Sequence, residues 1–326
     1  MSTSSFLDKI FVAFPTPKFL DFPFAGIHIT DQFVRAIEFE KGARQHKIKK
    51  YKEVPLPPDT INSGDILNKE ELVKVLSTLK AEMGLEYVKV SLPEEKAYLF
   101  TTKLPIVKGA DIKSAVESKI EENVPVSPSE LIYDYKVFLN NQKEQLDIVV
   151  SNFPTSIVST YTECILSAGL KPLVLEIESQ AIVRALTSAE SPNTCLIINF
   201  FKDKVGLYIE TSGTVRFTST VALKGELGNN PSFLLQEVSK LYIYWHTLKE
   251  NAGNPEKKIE QIIICGEGFD ESIAAYLFSH MSTPVVYGNV WLNAFDINKS
   301  VPNIDFNESL KFAGAVGLAL PDDTLM

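Results

Sequence analysis

Few side chains in this sequence are of a type and spacing that could do chemistry. His28, His46, His246 and His280 show neither the His-Glu-x-x-His pattern nor any other metal-ligand spacing. No Gly-x-Ser-x-Gly elbow or Cys/His arrangement accompanies them. Cys164, Cys195 and Cys265 are odd in number, far apart and set in apolar segments, so they read as buried thiols in a reducing compartment rather than disulfide or zinc partners. Glu176 and Glu178 share one side of a strand ending; paired-carboxylate catalysis would need partners from elsewhere, and a surface or junction position is the expectation. Gly266-Glu267-Gly268 follows the apolar strand Ile262–Cys265 and precedes a helix that Asp270 is placed to cap, a turn that suits nucleotide contact or tight helix packing equally. Lys41, Arg44, Lys47, Lys49, Lys50 and Lys52 form a basic strip that could face anionic lipid or an acidic partner. A solvated hairpin edge, whose lysines discourage strand pairing, is the favoured reading.

The elements that must position these residues belong to a chain of 326 residues, more than the ~100–200 of one domain, so two or more folded units are expected. With 45% hydrophobic and 22% charged residues the chain can fill sizeable cores. The net charge of −9 argues against a general nucleic-acid binder, which needs clustered positive charge. No apolar run approaches the ~20 residues of a membrane span, and Asp8 and Lys9 interrupt the N-terminal apolar stretch, which disfavours a secretory signal. A cytoplasmic location is the expectation. Phe6, Leu7, Ile10, Phe11 and Phe14 predict a short amphipathic helix, packed on the body in preference to serving as a membrane foot, before a proline-rich connector.

From Phe24 the alternation of apolar residues predicts three antiparallel strands, and the same plan recurs from Thr194. Aligning His28 with Asn199 aligns Val34 with Val205 and Gly42 with Gly213, so a related meander opens each half of the chain. Between them, Asn68 and Glu71 stand at cap and capping-box positions of a helix that Gly84 stops, with Leu72, Val75, Leu76 and Leu79 facing inward. Residues 97–170 read as an inserted α+β block. The second half adds a long helix with Val238, Leu241, Tyr242, Trp245 and Leu248 on one side, the strand before Gly266, and a last helix around Gly314 and Gly317.

These passages resemble the PilM-type proteins of type IV pilus assembly, relatives of FtsA in the actin-like ATPase superfamily. The resemblance rests on GIHITDQFVRAIEF, LPIVKGADIKSAVESKIEENVPVSPSELIYDYKVF, AGLKPLVLEIESQAIVRAL, FTSTVALKG, IIICGEGFDESIAAYL and AGAVGLAL. It implies an α/β, actin-like (ribonuclease-H-like) fold of two lobes with an inserted SHS2-type subdomain. The implied division is an N-terminal segment and linker at 1–23, a first lobe at 24–96 plus 171–190, the insertion at 97–170, and a second lobe at 191–322 with a reduced adenine-side subdomain.

In that superfamily a hairpin turn in each lobe wraps the nucleotide phosphates, and an acidic residue at each turn organises the metal. This chain departs from the pattern. The first turn reads Gly26-Ile27-His28-Ile29-Thr30, with histidine where aspartate is expected, and a neutral imidazole is a poor magnesium ligand. Asp31 is out of phase with position 28 and a doubtful replacement. The second turn has Asn199, Phe201 and Val205 where aspartate, glycine and threonine are expected, and a benzyl group would fill the space through which amides approach a phosphate. Lys202 or Lys204 could attract an anion, but in a hairpin turn a solvated charge is the expectation for either. The resemblance therefore implies a vestigial nucleotide cleft of His28, Thr30, Asn199, Phe201, Gly266, Gly268 and Gly314, with no catalytic residues, no metal and ATP bound weakly if at all. The implied function is a platform at the inner face of the cytoplasmic membrane that docks the N-terminal tail of an inner-membrane, PilN-like protein, reaching the membrane through that partner. The alternatives are an active or switching ATPase using Asp31, Asp203 or another cleft carboxylate in place of the absent pair, and a self-associating filament former.

Overall fold

The computed structural model describes residues 23–40, 47–106, 109–140, 145–223, 230–249, 251, 257–267, 271–295 and 302–321. The expected N-terminal amphipathic helix, part of the basic strip, Gly268 and Asp270 lie outside the described residues.

The first sheet begins with the meander β1 (Phe24–Ile29), β2 (Phe33–Phe39) and β3 (Ile48–Pro55). A small hairpin, β4 (Ile61–Asn62) and β5 (Asp65–Ile66), leads to α1 (Lys69–Met83) and β6 (Tyr87–Leu92). Asn68 caps α1 by accepting the Glu71 amide at 3.2 Å, and Gly84 ends it in the left-handed region at φ 70°. Leu72, Val75, Leu76 and Leu79 are buried, as their spacing predicts.

The chain then leaves this layer for β7 (Tyr98–Pro105), α2 (Gly109–Asn123), β8 (Leu131–Asn140) and β9 (Gln145–Pro154), a three-stranded sheet in the order β7-β9-β8 with its own apolar cluster around Val116, Ile120, Ile148 and Val150. The next helix, α3 (Thr155–Ser167), falls inside the expected 97–170 insertion, yet its Tyr161, Cys164 and Ile165 pack into the core of the first sheet. Strand β10 (Lys171–Ile177) completes that sheet in the order β10-β6-β1-β2-β3, and α4 (Glu178–Leu186) follows without a break.

The second sheet repeats the plan. Strands β11 (Thr194–Phe200), β12 (Lys204–Thr211) and β13 (Thr214–Ala222) form the meander, followed by α5 (Pro231–Thr247), β14 (Ile259–Gly266), α6 (Glu271–His280) and β15 (Val285–Tyr287). Its order, β13-β12-β11-β14-β15, is the order of the first sheet read from the other end. The equivalence extends to register: His28 pairs with Arg35 and Ile29 with Val34, as Asn199 pairs with Gly206 and Phe200 with Val205. β1 and β11 lie between two other strands of their sheets and are buried along nearly their whole length.

Two helices cross between the lobes. α4 leaves the first sheet but packs its Ile182, Val183 and Leu186 with Ile197 and Tyr208 of the second. α7 (Phe306–Leu310) and α8 (Ala313–Ala319) close the described chain, and α8 lies along β1. Glycines let these backbones approach: a Cβ on Gly317 would stand 1.7 Å from the Ala181 carbonyl oxygen, and one on Gly26 would stand 2.1 Å from that of Ala315. The result is the actin-like, two-lobed α/β fold with an inserted α+β unit. No helix among the described residues is long and apolar enough to cross a membrane.

Candidate functional site

The turn after β1 and the turn after β11 occupy equivalent places at the junction of the lobes. In each, the first turn residue donates its amide to the carbonyl that starts the next strand: Thr30 to Phe33 at 2.9 Å, and Phe201 to Lys204 at 2.9 Å. The Thr30 hydroxyl is spent inside its own turn, accepting the Phe33 amide at 3.0 Å and donating to the Phe33 carbonyl. Phe201 is buried.

Behind the turns the junction is filled with buried polar side chains. His28 is 3% exposed and its Nε2 lies 2.9 Å from Glu178 Oε1, at the first residue of α4. The imidazole ring packs against Gly314 so closely that a Cβ there would be 2.8 Å from it. Asn199 Oδ1 accepts the Cys265 thiol at 3.4 Å, and burial keeps that thiol well above the ordinary cysteine range. Gly266, at φ 94°, turns the chain where a Cβ would strike the Phe200 backbone and the Asn199 side chain. Tyr208 is fully buried, its hydroxyl poised over Gly206. Glu94 Oε2 accepts the Ser179 amide at 3.1 Å, closing the N-terminus of α4. Burial pushes the Glu94 carboxyl up to about 7, against its bonds to Ser179, and the neighbouring Glu178 pushes it the same way.

Two sets of ion pairs cross from lobe to lobe. Lys204, of the second lobe, donates to Asp31 at 3.0 Å and to Glu95, both of the first. Asp31 also accepts the amides of Ser63 and Gly64 at 3.0 and 3.1 Å, which fixes the turn between β4 and β5. Arg35, buried in the first lobe, bonds Glu53 at 2.5 Å and pairs with Glu267, which follows β14 of the second. Lys311 meets Glu53 at 3.1 Å. Burial would raise the Glu53 carboxyl, and Arg35 and Lys311 overcome it and hold the group below the usual carboxylate value.

His28 packs on Gly314 and Asn199 on Gly266, while Thr30 and Phe201 close the two turns that the Lys204–Asp31 pair bridges. Glu178 is at the junction, while Glu176 pairs with Arg184 at 2.7 Å. Lys204 differs from expectation: its side chain is 12% exposed and doubly paired, not a solvated charge. Glu95, Arg35 and Tyr208 were missed. The signal for Glu95 was a double carboxylate placed directly after Pro93, where the strand ends at the junction; pairs between distant segments leave no local periodicity.

A magnesium-bound triphosphate does not fit these residues. The Asp31 carboxylate is taken up by an ammonium and two amides, the imidazole of His28 is wedged between Glu178 and Gly314, and Phe201 is buried in the turn through which phosphate would be approached. No group of three or more metal-ligating side chains gathers among the described residues.

A second feature lies between the inserted sheet and the first sheet. The edge strand β8 of the inserted sheet and the edge strand β10 border a groove of about 220 Å³, lined by Leu92, Leu99, Val149, Phe153, Leu175 and Ile177, with Thr214 and Val215 of the second lobe at one wall. Ile132 at its rim is 47% exposed.

Comparison with known proteins places the chain. A solved structure described as the PilM-PilN type IV pilus biogenesis complex is 17% identical, with a TM-score of 0.74 over 91% of this chain and 98% of that one. Two others are similar at lower scores. The cytoplasmic domain of EpsL, an inner membrane component of the Vibrio cholerae type II secretion system, is 9% identical over 84% of this chain and 100% of its own, with a TM-score of 0.47. MreB5 of Spiroplasma citri bound to ADP is 13% identical over 83% and 93%, with a TM-score of 0.46. The profile of the family described as type IV pilus assembly protein PilM matches residues 26–196, more than half of the sequence, and the chain belongs to that family.

Proposed function

We propose that this protein is a docking platform of the type IV pilus assembly machinery, which binds the cytoplasmic tail of a PilN-like inner-membrane protein and does not hydrolyse ATP. The observation that carries the reading is the apolar groove between two sheet edges, in a fold shared with a PilM-PilN complex. An extended peptide satisfies its backbone by joining a sheet edge and sets its register by placing alternate side chains in apolar pockets. β8 and β10 supply the edges, and Leu92, Leu99, Phe153 and Leu175 supply the pocket. A filled, ion-paired lobe junction is consistent with a scaffold whose shape does not follow a nucleotide cycle. The same reading keeps the first lobe at 24–96 plus 171–190 and the second at 191–322, with α3 packed as part of the first. It places the protein at the inner face of the cytoplasmic membrane through its partner.

The test is co-purification of the full chain with the N-terminal tail of the neighbouring membrane subunit, followed by titration calorimetry. Ile132→Glu puts a charge at the groove rim and is expected to weaken tail binding at least about tenfold with little change in stability, because the site is half exposed. Unchanged affinity would remove the groove from the proposal, and no binding to wild type would remove the platform.

A further inference from the structure

The two turns at the lobe junction face each other with opposite charge. Lys204 stands in the second hairpin where Phe33 stands in the first, and its ammonium reaches back across the junction to Asp31 and Glu95. The three side chains are only 12%, 15% and 18% exposed, and the Phe201 ring centroid lies 5.1 Å from the ammonium. A pair so enclosed is weakly screened by salt. Burial works against the lysine charge, and Glu95 and Asp31 overcome it and hold the pKa above the ordinary lysine value, so the group stays an ammonium. Asp31 completes its set of donors with the Ser63 and Gly64 amides. A diffusible cation would have to displace a donor already tethered to the chain, which acts at a high effective concentration.

We propose that Lys204 is a built-in cation that holds the lobes together in place of a diffusible ligand, so that closure of the junction is a property of the chain and does not require magnesium or nucleotide. The Arg35–Glu267 pair braces the same junction in the opposite sense, with the base on the first lobe and the acid on the second. The consequence reaches the groove. Glu95 sits in the turn Glu94–Lys96 that joins β6 to β7, and Leu92 and Leu99 on either side of that turn line the groove wall. Lys204 therefore ties the second lobe to the segment that shapes the groove. This holds whether or not the groove takes a tail peptide.

Amide hydrogen exchange on the full chain tests the proposal. In wild type, the turns at 29–34, 63–66 and 93–97 are expected to exchange at the same rate with and without millimolar magnesium-ATP. Lys204→Met leaves two enclosed carboxylates without their cation and is expected to speed exchange in these turns by roughly tenfold or more, with the exchange of α2 and β9 unchanged. Protection in Lys204→Met equal to wild type overturns the proposal, as does a gain of protection in wild type on adding magnesium-ATP. Should Lys204→Met fail to fold, Glu95→Gln keeps the side-chain shape and removes one charge. Faster exchange at 93–97 in that variant supports the proposal, and unchanged exchange overturns it.

Discussion

Replacing Gly317 with alanine should separate the two helices that cross between the lobes. Its Cβ would stand 1.7 Å from the Ala181 carbonyl oxygen and 2.6 Å from the carbonyl carbon, both main-chain atoms of α4. No rotamer change relieves such a contact. Ordinary carbon contacts lie near ~3.5 Å, so the helices must part by roughly 2 Å at the crossing. Overpacking costs about 1–3 kcal/mol, and rigid backbone on both sides puts this case near the upper figure. Alanine gains about 1 kcal/mol over glycine inside a helix, which leaves a net loss of roughly 2 kcal/mol. For a chain of this size that corresponds to a fall of about 3 °C in Tm, read by calorimetry or circular dichroism. Gly84→Ala is the control: nothing lies within 4 Å of its Cβ, but its φ of 70° costs the left-handed strain of about 1 kcal/mol. A Gly317→Ala protein as stable as wild type, or more so, would show that helix propensity outweighs the crossing and refute the packing argument.

Two further outcomes follow from the junction. Glu94 holds its proton up to about 7 in the folded protein and near 4.5 unfolded, so the native state binds more protons between those values. Its contribution is therefore present below 4.5 and lost as pH rises through 7. Glu94→Gln keeps a carbonyl for the Ser179 amide and loses the titration, so its urea stability should exceed that of wild type at pH 8 by about 1–3 kcal/mol and converge with it in acid. The same stability curve for both proteins at every pH would contradict this. Glu210, also pushed up to about 7 by burial, leaves a residual slope in the variant. His28→Asp restores the residue type that the superfamily pattern carries, yet sets a second enclosed carboxylate against Glu178. The expected result in a melting assay is a lower Tm and no added stabilisation by magnesium-ATP, and stabilisation by the nucleotide would show that the position alone had been limiting.

The fold was legible because its signals are local and repeated. Alternation in Phe24–Phe39 and Thr194–Thr211 marked the meanders, Asn68 and Gly84 bounded α1 with their caps, and the match of His28 with Asn199 and of Val34 with Val205 corresponds to equivalent strand pairing in the two sheets. The residues of the junction were legible as positions, since the turns follow directly from the strands. What they do there was not. Lys204 sits in a hairpin turn, where a lysine is usually solvated, and only the approach of Asp31 and Glu95 from segments far away in sequence buries it. Arg35 stands between Val34 and Ala36 in sequence but faces Glu53 and Glu267 across a strand and across a lobe. The placement of α3 turned on the same kind of contact: its apolar face gave no hint whether the inserted sheet or the first lobe would cover it, and Tyr161, Cys164 and Ile165 went to the first lobe.

Titration of magnesium-ATP into the wild-type protein, with heat and phosphate release followed together, bears most directly on whether the filled junction is a scaffold. The expected result is no saturable heat and no phosphate above the buffer rate at millimolar nucleotide. Saturable binding accompanied by turnover would mean that Lys204, His28 and Phe201 give way to a nucleotide, and the scaffold reading would be wrong.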